Sequence, residues 1–126
     1  MLFVFWFLAI LLLYNIAVKD CVFCKIVKGE IEKEFKYENE LLVAFDDINP
    51  VAPIHLLVIP KKHIADFFEV DDDKTYHEIS KALKHLIEQT GLNEKGYRIE
   101  VNGGGAQDVF HLHFHLYGPR KRGQVH

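Results

Sequence analysis

The feature that most constrains this chain is the alternation of histidine with apolar residues from His111 to Leu116. Successive side chains of a β-strand point to opposite faces, so the pattern predicts a strand with Leu112, Phe114 and Leu116 in the core. The three imidazoles would then share the other face. Because imidazole serves as metal ligand, nucleophile or acid–base group near neutral pH, that face is a solvated surface, a metal site or a catalytic site.

A glycine run, Gly103–Gly105, precedes these histidines and is followed by Gln107. Glycine-rich turns allow backbone N–H groups to converge on an anion, and a neutral amide side chain adds a donor. Neutral imidazole can attack phosphorus, and protonated imidazole can stabilise developing charge or protonate a leaving group. The combination favours phosphate chemistry over a solvated surface.

The remainder of the chain predicts a single α+β domain, since 126 residues suffice for one core. Short apolar segments joined by hairpins, with segregated helices, indicate an antiparallel sheet of about five strands. Apolar spacing predicts a short N-terminal helix over Asp20–Lys28 and one long helix over Lys74–Thr90, capped by Asp71–Asp73. The predicted strands are Phe35–Tyr37, Leu41–Phe45, His55–Ile59, Tyr97–Val101 and Val109–Tyr117.

Residues 1–18 form an apolar leader, because every charged residue of the chain follows Val18. The leader lies at the lower limit of length for crossing a bilayer and lacks the basic start of a signal peptide. We expect either a membrane tether through residues 2–18 or a translation start set too far upstream. Lys19 and Lys25 follow the apolar run, so a tethered protein would keep its domain in the cytoplasm. A protein that starts after the leader is also expected there. Residues 19–118 are the predicted domain, and residues 119–126 are a basic C-terminal tail.

Net charge and cysteine content argue against two other classes of protein. A net charge of −3 argues against a nucleic-acid-binding protein, and two cysteines are too few for a disulfide scaffold. Cys21 and Cys24 have the spacing of half a tetrahedral metal site.

The histidine run, with Leu116-Tyr117 at its end, resembles the histidine triad of the HIT superfamily. The segment CVFCKIVKGEI from Cys21 resembles the opening of the HINT branch, and FDDINPVAPIHLLVIPKKHI from Phe45 is similar to its central block. The resemblance covers residues 19–118. It implies a homodimeric nucleotide-binding hydrolase that cleaves purine nucleoside phosphoramidates, such as adenosine 5′-monophosphoramidate, without a cofactor.

The resemblance also implies residue roles. His113 is the nucleophile that forms a nucleotidyl-histidine intermediate, and His115 contacts the phosphate and assists the leaving group. His55 matches an additional active-site histidine, His111 orients the strand, and Asp47 matches the carboxylate that binds the ribose. The phosphate cradle would be Asn102, Gln107 and the backbone of Asp108 and Val109, and the base slot Val22, Phe23, Ile26, Phe45 and Ile48.

Some features leave alternatives open. Asp108 stands where many eukaryotic members have a serine, and its charge would repel phosphate unless it turned away or met a cation. His115 distinguishes the chain from the nucleotidyltransferase branch, which has glutamine there. A dinucleoside polyphosphate hydrolase and a non-catalytic nucleotide-binding regulatory protein are the alternatives to a phosphoramidase.

The cysteine pair has three interpretations. In some bacterial members it binds structural zinc, and the resemblance then implies His63 and His111 as the other ligands of Cys21 and Cys24. Two free buried thiols are the second interpretation. A redox pair is the third, and a reducing cytoplasm makes it the least favoured.

Overall fold

The computed structural model describes residues 2–123, with side chains from Val4, so the end of the predicted basic tail lies outside this range. The strands are β1 (Tyr37–Glu38), β2 (Leu42–Asp46), β3 (Ile54–Pro60), β4 (Arg98–Val101) and β5 (Phe114–Gly118). The helices are α1 (Leu2–Asp20), α2 (Val22–Lys28), α3 (Asp73–Thr90) and α4 (Leu92–Lys95), with a 3-10 turn over Phe67–Glu69. All strand pairs are antiparallel, in the order β1-β2-β3-β5-β4. The predicted α+β class and five-stranded sheet are confirmed.

Both faces of the sheet are covered. In β2, Leu42 and Ala44 pack in the core beneath α3, whereas Val43 and Phe45 pack in a second core beneath α2. Every residue of β2 except the last is therefore buried, as expected for a strand with two covered faces.

The long helix begins and ends as its sequence predicts, with a boundary shift of one residue. The Asp72 carboxylate accepts a hydrogen bond from the Thr75 N–H at 2.7 Å, which satisfies one unpaired donor of the first turn. Gly91 ends the helix with φ 75°, a backbone conformation that favours glycine.

The last strand is shorter than predicted. β5 covers Phe114–Gly118, and residues 109–113 are irregular. One reason is that the Leu112 N–H donates to the Ile64 carbonyl at 2.6 Å, outside the sheet. The solvated surface that the alternation allowed is wrong: His111 is 0% exposed and His113 6%, because Phe23 of α2 packs edge-on against both rings.

Helix α1 continues the chain on the N-terminal side of α2. Within residues 2–123 no single helix has the length and hydropathy required to cross a membrane. By length and composition alone, the requirement is met by Val4–Asp20 and Val22–Lys28 taken together, with a bend of 74° between them. Helix α2 also contributes Phe23, Cys24 and Ile26 to the second core.

We predict that Leu86→Ala lowers the free energy of unfolding by about 2–5 kcal/mol, because Leu86 is fully buried between α3 and the sheet. Chemical denaturation measures the change. Lys84→Ala, an exposed position on the same helix, is the control and should change stability by about 0.5 kcal/mol or less. Equal effects of the two substitutions would contradict this account of the core.

Candidate active site

A cleft of about 420 Å³ opens between α2 and the sheet. Residues predicted to bind nucleotide or to react line it: Val22, Phe23, Ile26, Phe45, Asp47, Ile48, Asp108, Val109, His113 and His115. Four predicted residues lie outside the lining: His55, His111, Asn102 and Gln107. The cleft lining also contains six residues that were not predicted as site residues: Ile31, Glu32, Lys33, Asp46, Asn49 and Leu57.

His113 is held by the backbone of the irregular segment that precedes β5. Its Nδ1 lies 2.8 Å from the His111 carbonyl oxygen, so Nδ1–H is the donor and Nε2 keeps a free lone pair. The ring packs edge-on against Phe23, with centroids 5.2 Å apart, and against His115 at 5.0 Å. A buried imidazole with a fixed tautomer and a free nitrogen has the arrangement that a nucleophile requires.

His55 sets the tautomer of His115. The Val51 N–H donates to His55 Nδ1 at 3.1 Å, so the His55 proton is on Nε2. His55 Nε2 lies 2.9 Å from His115 Nδ1 and 3.3 Å from an Asp47 carboxylate oxygen. When His115 Nδ1 accepts the hydrogen bond from His55 Nε2–H, the single proton of the neutral His115 ring lies on Nε2. His115 Nε2 is then a donor.

Burial lowers the pKa of His115, and the neighbouring imidazoles of His113 and His55 lower it further. In the free protein at pH 7 His115 is therefore neutral, and its one N–H serves as a hydrogen-bond donor. The hydrogen-bonded chain from Val51 to His115 suits a group that delivers a proton and takes it back.

The glycine run is engaged differently from the prediction. The Gly104 N–H donates to the Asp66 carboxylate at 2.7 Å, and the Gly105 N–H donates to Gln107 Oε1 at 2.9 Å. Both N–H groups are engaged within the protein. The prediction that they converge on an anion is therefore wrong for Gly104 and Gly105. The amide nitrogen of Gln107 donates to the Ala65 carbonyl at 3.1 Å, so this side chain braces the loop.

Asp66 is a residue that the sequence reasoning missed. Its carboxylate also accepts from the Phe68 N–H at 3.1 Å, and the N–H groups of Gly104 and Phe68 lower its pKa. A Cβ at Gly103 would lie 2.6 Å from an Asp66 oxygen, so a larger residue there would displace this carboxylate. In the sequence, Asp66 is recognisable only as an aspartate that could cap a short turn. That signal does not identify Gly104 as its partner, because Gly104 lies far away in the chain.

Asp108 and Lys33 line the same cleft, and Asp108 is exposed. Lys33 Nζ lies 5.6 Å from the centre of the Phe45 ring. Among the residues that the structure describes, the cleft lining therefore contains one cation, Lys33, beside four carboxylates whose charge opposes a phosphate, Glu32, Asp46, Asp47 and Asp108.

The four predicted metal ligands lie together. One ligand atom from each of Cys21, Cys24, His63 and His111 lies within 4.8 Å of the others. The Sγ–Nδ1 distances are 3.3 Å for Cys21–His111, 3.5 Å for Cys24–His111 and 3.3 Å for Cys24–His63. Tetrahedral zinc with ordinary bond lengths separates neighbouring S and N ligands by roughly 3.6 Å, so the donor set fits zinc.

The surroundings of this cluster also suit a metal. His111 Nε2 donates to the Pro60 carbonyl at 2.7 Å, which leaves Nδ1 as a lone pair facing the two thiols. Burial, with the adjacent Cys21, raises the pKa of Cys24 to about 12. A bound cation would reverse this preference and favour the thiolates.

A second group of Asp47, His55 and His115 also has three ligand atoms within 4.8 Å. Here the tautomer opposes metal binding. The Val51 N–H occupies His55 Nδ1, so Nε2 carries a proton where a metal would need a lone pair. Proton transfer suits this group better than coordination.

We predict that metal-free protein loses about 3 kcal/mol of stability as the pH falls from 6.5 to 4 through His111. Burial lowers the pKa of His111 from 6.5 to about 4. In this window the unfolded chain binds a proton that the folded chain excludes, so the free energy of unfolding falls with pH. Urea unfolding in the presence of a chelator measures it.

The comparison for this prediction is His111→Asn, which should reduce the dependence and leave the smaller contributions of His63 and His115, whose pKa values burial also lowers. His77→Ala, at an exposed position of α3, serves as the control and should keep the slope of the wild type. An identical slope in wild type and His111→Asn would show that the buried imidazole is not its source.

Comparison with known proteins places the chain in a family. The sequence model of the HIT domain matches residues 28–122. An uncharacterized HIT-like protein of Synechococcus elongatus is 42% identical over 106 residues, which cover 81% of this chain and 92% of that protein.

Solved structures agree with this result. A HIT family hydrolase from Legionella pneumophila Philadelphia 1 has 45% identity and a TM-score of 0.76, covering 81% of this chain and 95% of that one. A zinc-bound histidine triad family protein from Mycobacterium smegmatis has 34% identity and a TM-score of 0.71, covering 84% and 78%. By sequence and by structure, the chain belongs to the HIT family.

Proposed function

We propose that this protein is a nucleotide hydrolase that cleaves purine nucleoside phosphoramidates, of the adenosine 5′-monophosphoramidate type, through a nucleotidyl intermediate on His113. The observation that supports it best is the hydrogen bond from His113 Nδ1 to the His111 carbonyl, because it leaves Nε2 as a nucleophile on a residue that lines the cleft. The Legionella relative, named as a hydrolase, supports the reaction class.

The cleft suits a purine nucleoside. Phe23 and Phe45 supply aromatic surface, and Val22, Ile26 and Ile48 supply aliphatic surface, against which a base can stack. Asp47 lies in the same lining and can accept hydrogen bonds from the two ribose hydroxyls.

In the first step, His113 Nε2 attacks phosphorus. A bond forms between this nitrogen and phosphorus, and the phosphoramidate P–N bond breaks. The departing amine takes a proton from the imidazolium form of His115, which the negative charges of the bound phosphate and of Asp47 favour, and His115 is left neutral. The products of this step are an amine and a nucleotidyl-histidine.

In the second step, water attacks the same phosphorus atom. Its proton passes to His115 Nε2, which the first step left unprotonated, and the bond between phosphorus and His113 breaks. The nucleoside monophosphate leaves and both histidines return to their starting states. No cofactor takes part in either step.

We predict that His113→Ala lowers the rate of AMP release from adenosine 5′-monophosphoramidate at least about 1000-fold, because no other group replaces the nucleophile. The full chain is incubated with substrate and AMP is followed by chromatography. AMP titration should show that the variant still binds nucleotide. His77→Ala, outside the cleft, should leave the rate unchanged.

Other results would redirect the proposal. Release that survives His113→Ala would exclude this nucleophile. Tight AMP binding without turnover by the wild type would favour the regulatory alternative, with Asp108 as the first residue to substitute. Faster cleavage of a dinucleoside polyphosphate would favour the other hydrolytic branch.

We also propose that Cys21, Cys24, His63 and His111 hold a structural zinc ion. The donor set, the Sγ–Nδ1 distances and the Pro60 contact support this assignment. Zinc bound there would supply cross-links between α2, the end of β3 and the histidine segment, and no catalytic step would involve it.

We predict about one equivalent of zinc per chain after purification with zinc supplied, as measured by elemental analysis. Cys21→Ser/Cys24→Ser should lose the metal, whereas His113→Ala/His115→Ala should retain it. Chelation should lower the thermal unfolding temperature of the wild type. Zinc that depends on His113 and His115 instead would mean that the triad is the metal site.

Homodimerisation follows from the family resemblance and a cytoplasmic location from the lysines that follow the leader, and both remain predictions. Size measurement by light scattering tests the dimer directly.

A further inference from the structure

Helix α1 is apolar on every side and exposed on every side. From Val4 to Leu13 its large apolar side chains are 45–72% exposed, and consecutive positions around the helix all fall in this range. A helix with apolar residues all round is stable in an apolar surrounding, either a protein core or a membrane. Within residues 2–123, the domain does not provide that surrounding.

The C-terminal end of α1 is fixed to the domain. Val18 packs against the second core, and the Tyr14 ring contacts the His63 ring edge-on, with centroids 5.9 Å apart. The helix therefore leaves the domain in a defined direction. Because α1 and α2 differ in direction by 74°, α2 would lie nearly parallel to a membrane surface that α1 entered upright.

Lysines gather where the apolar surface ends. Lys19, Lys25 and Lys28 line a cleft of about 300 Å³ at the junction of α1 and α2, together with Asn15, Val18 and Glu30. We call these three lysines the lysine collar. Each lysine at a membrane surface strengthens binding to anionic lipid by about fivefold. Cations directly beside an apolar helix also match the boundary between the acyl chains and the phosphates of a bilayer.

We propose that α1 inserts into an anionic bilayer and that the lysine collar contacts the lipid phosphates, which holds the domain at the membrane surface. The chain as a whole carries a net charge of −3, so this attraction is local to the collar. Glu30 and Asp20 lie nearby and oppose part of it. The proposal is independent of the reaction at His113.

Trp6, the single tryptophan of the chain, reports on α1 without labelling. The full chain, held in mild detergent, is diluted into phosphatidylcholine vesicles with or without phosphatidylglycerol. We expect Trp6 emission to shift to the blue and to be quenched by lipids brominated on their acyl chains. Binding should be tighter to the anionic vesicles.

The variant that tests the collar is Lys19→Gln/Lys25→Gln/Lys28→Gln. Its affinity for anionic vesicles should fall roughly 100-fold. The matched control removes three exposed lysines of α3, as Lys74→Gln/Lys81→Gln/Lys84→Gln, and should bind as the wild type does. Leu8→Asp should abolish the spectral shift with both kinds of vesicle while leaving AMP binding intact.

Three results would overturn the proposal. In the first, Trp6 is not quenched by acyl-chain bromines. In the second, the collar variant binds as tightly as its matched control. In the third, the chain forms oligomers in which Trp6 is shielded and does not partition to vesicles, which would mean that a second copy covers α1.

Discussion

The structure depends on the fully buried imidazole and backbone of His111. Its Nε2 donates to the Pro60 carbonyl at the end of β3, its Nδ1 faces the two thiols, and its own carbonyl accepts the His113 Nδ1–H. One residue thus joins the sheet, the cysteine cluster and the reactive imidazole. A shift of His111 would move the nucleophile, so the cluster supports the geometry of the reaction without touching the substrate.

The Asp47 carboxylate contacts two histidines and is also expected to bind the ribose. In this structure it lies 3.3 Å from His55 Nε2 and 3.7 Å from His115 Nδ1, while the family resemblance assigns it to the ribose. Both histidine contacts use Oδ2, whereas Oδ1 accepts the Asn49 N–H at 2.8 Å and keeps a lone pair that can face the ribose. Binding of the nucleoside would then be connected to the histidines that handle the proton. In the proposed reaction, one side chain would therefore link recognition of the sugar to catalysis.

Some parts of the fold and the site could be predicted from the sequence, and others could not. The spacing of the apolar residues in α3 and the Asp72 cap depend on neighbours in the chain, and both were predicted correctly. The alternation at His111–Leu116 identified the two faces of the segment, but not the helix that covers the histidine face. The contact between Asp66 and Gly104 joins distant parts of the chain, and no local pattern encodes such a pairing.

The central claim is that phosphorus becomes bonded to His113 during turnover. The most direct measurement is rapid acid-free quenching of the wild type with adenosine 5′-monophosphoramidate, followed by proteolysis and mass spectrometry of the peptide that contains the histidines. The account predicts one adenylyl group, located on His113 and absent after the substrate is exhausted. An adduct on another residue, or turnover with no adduct at any time, would contradict it.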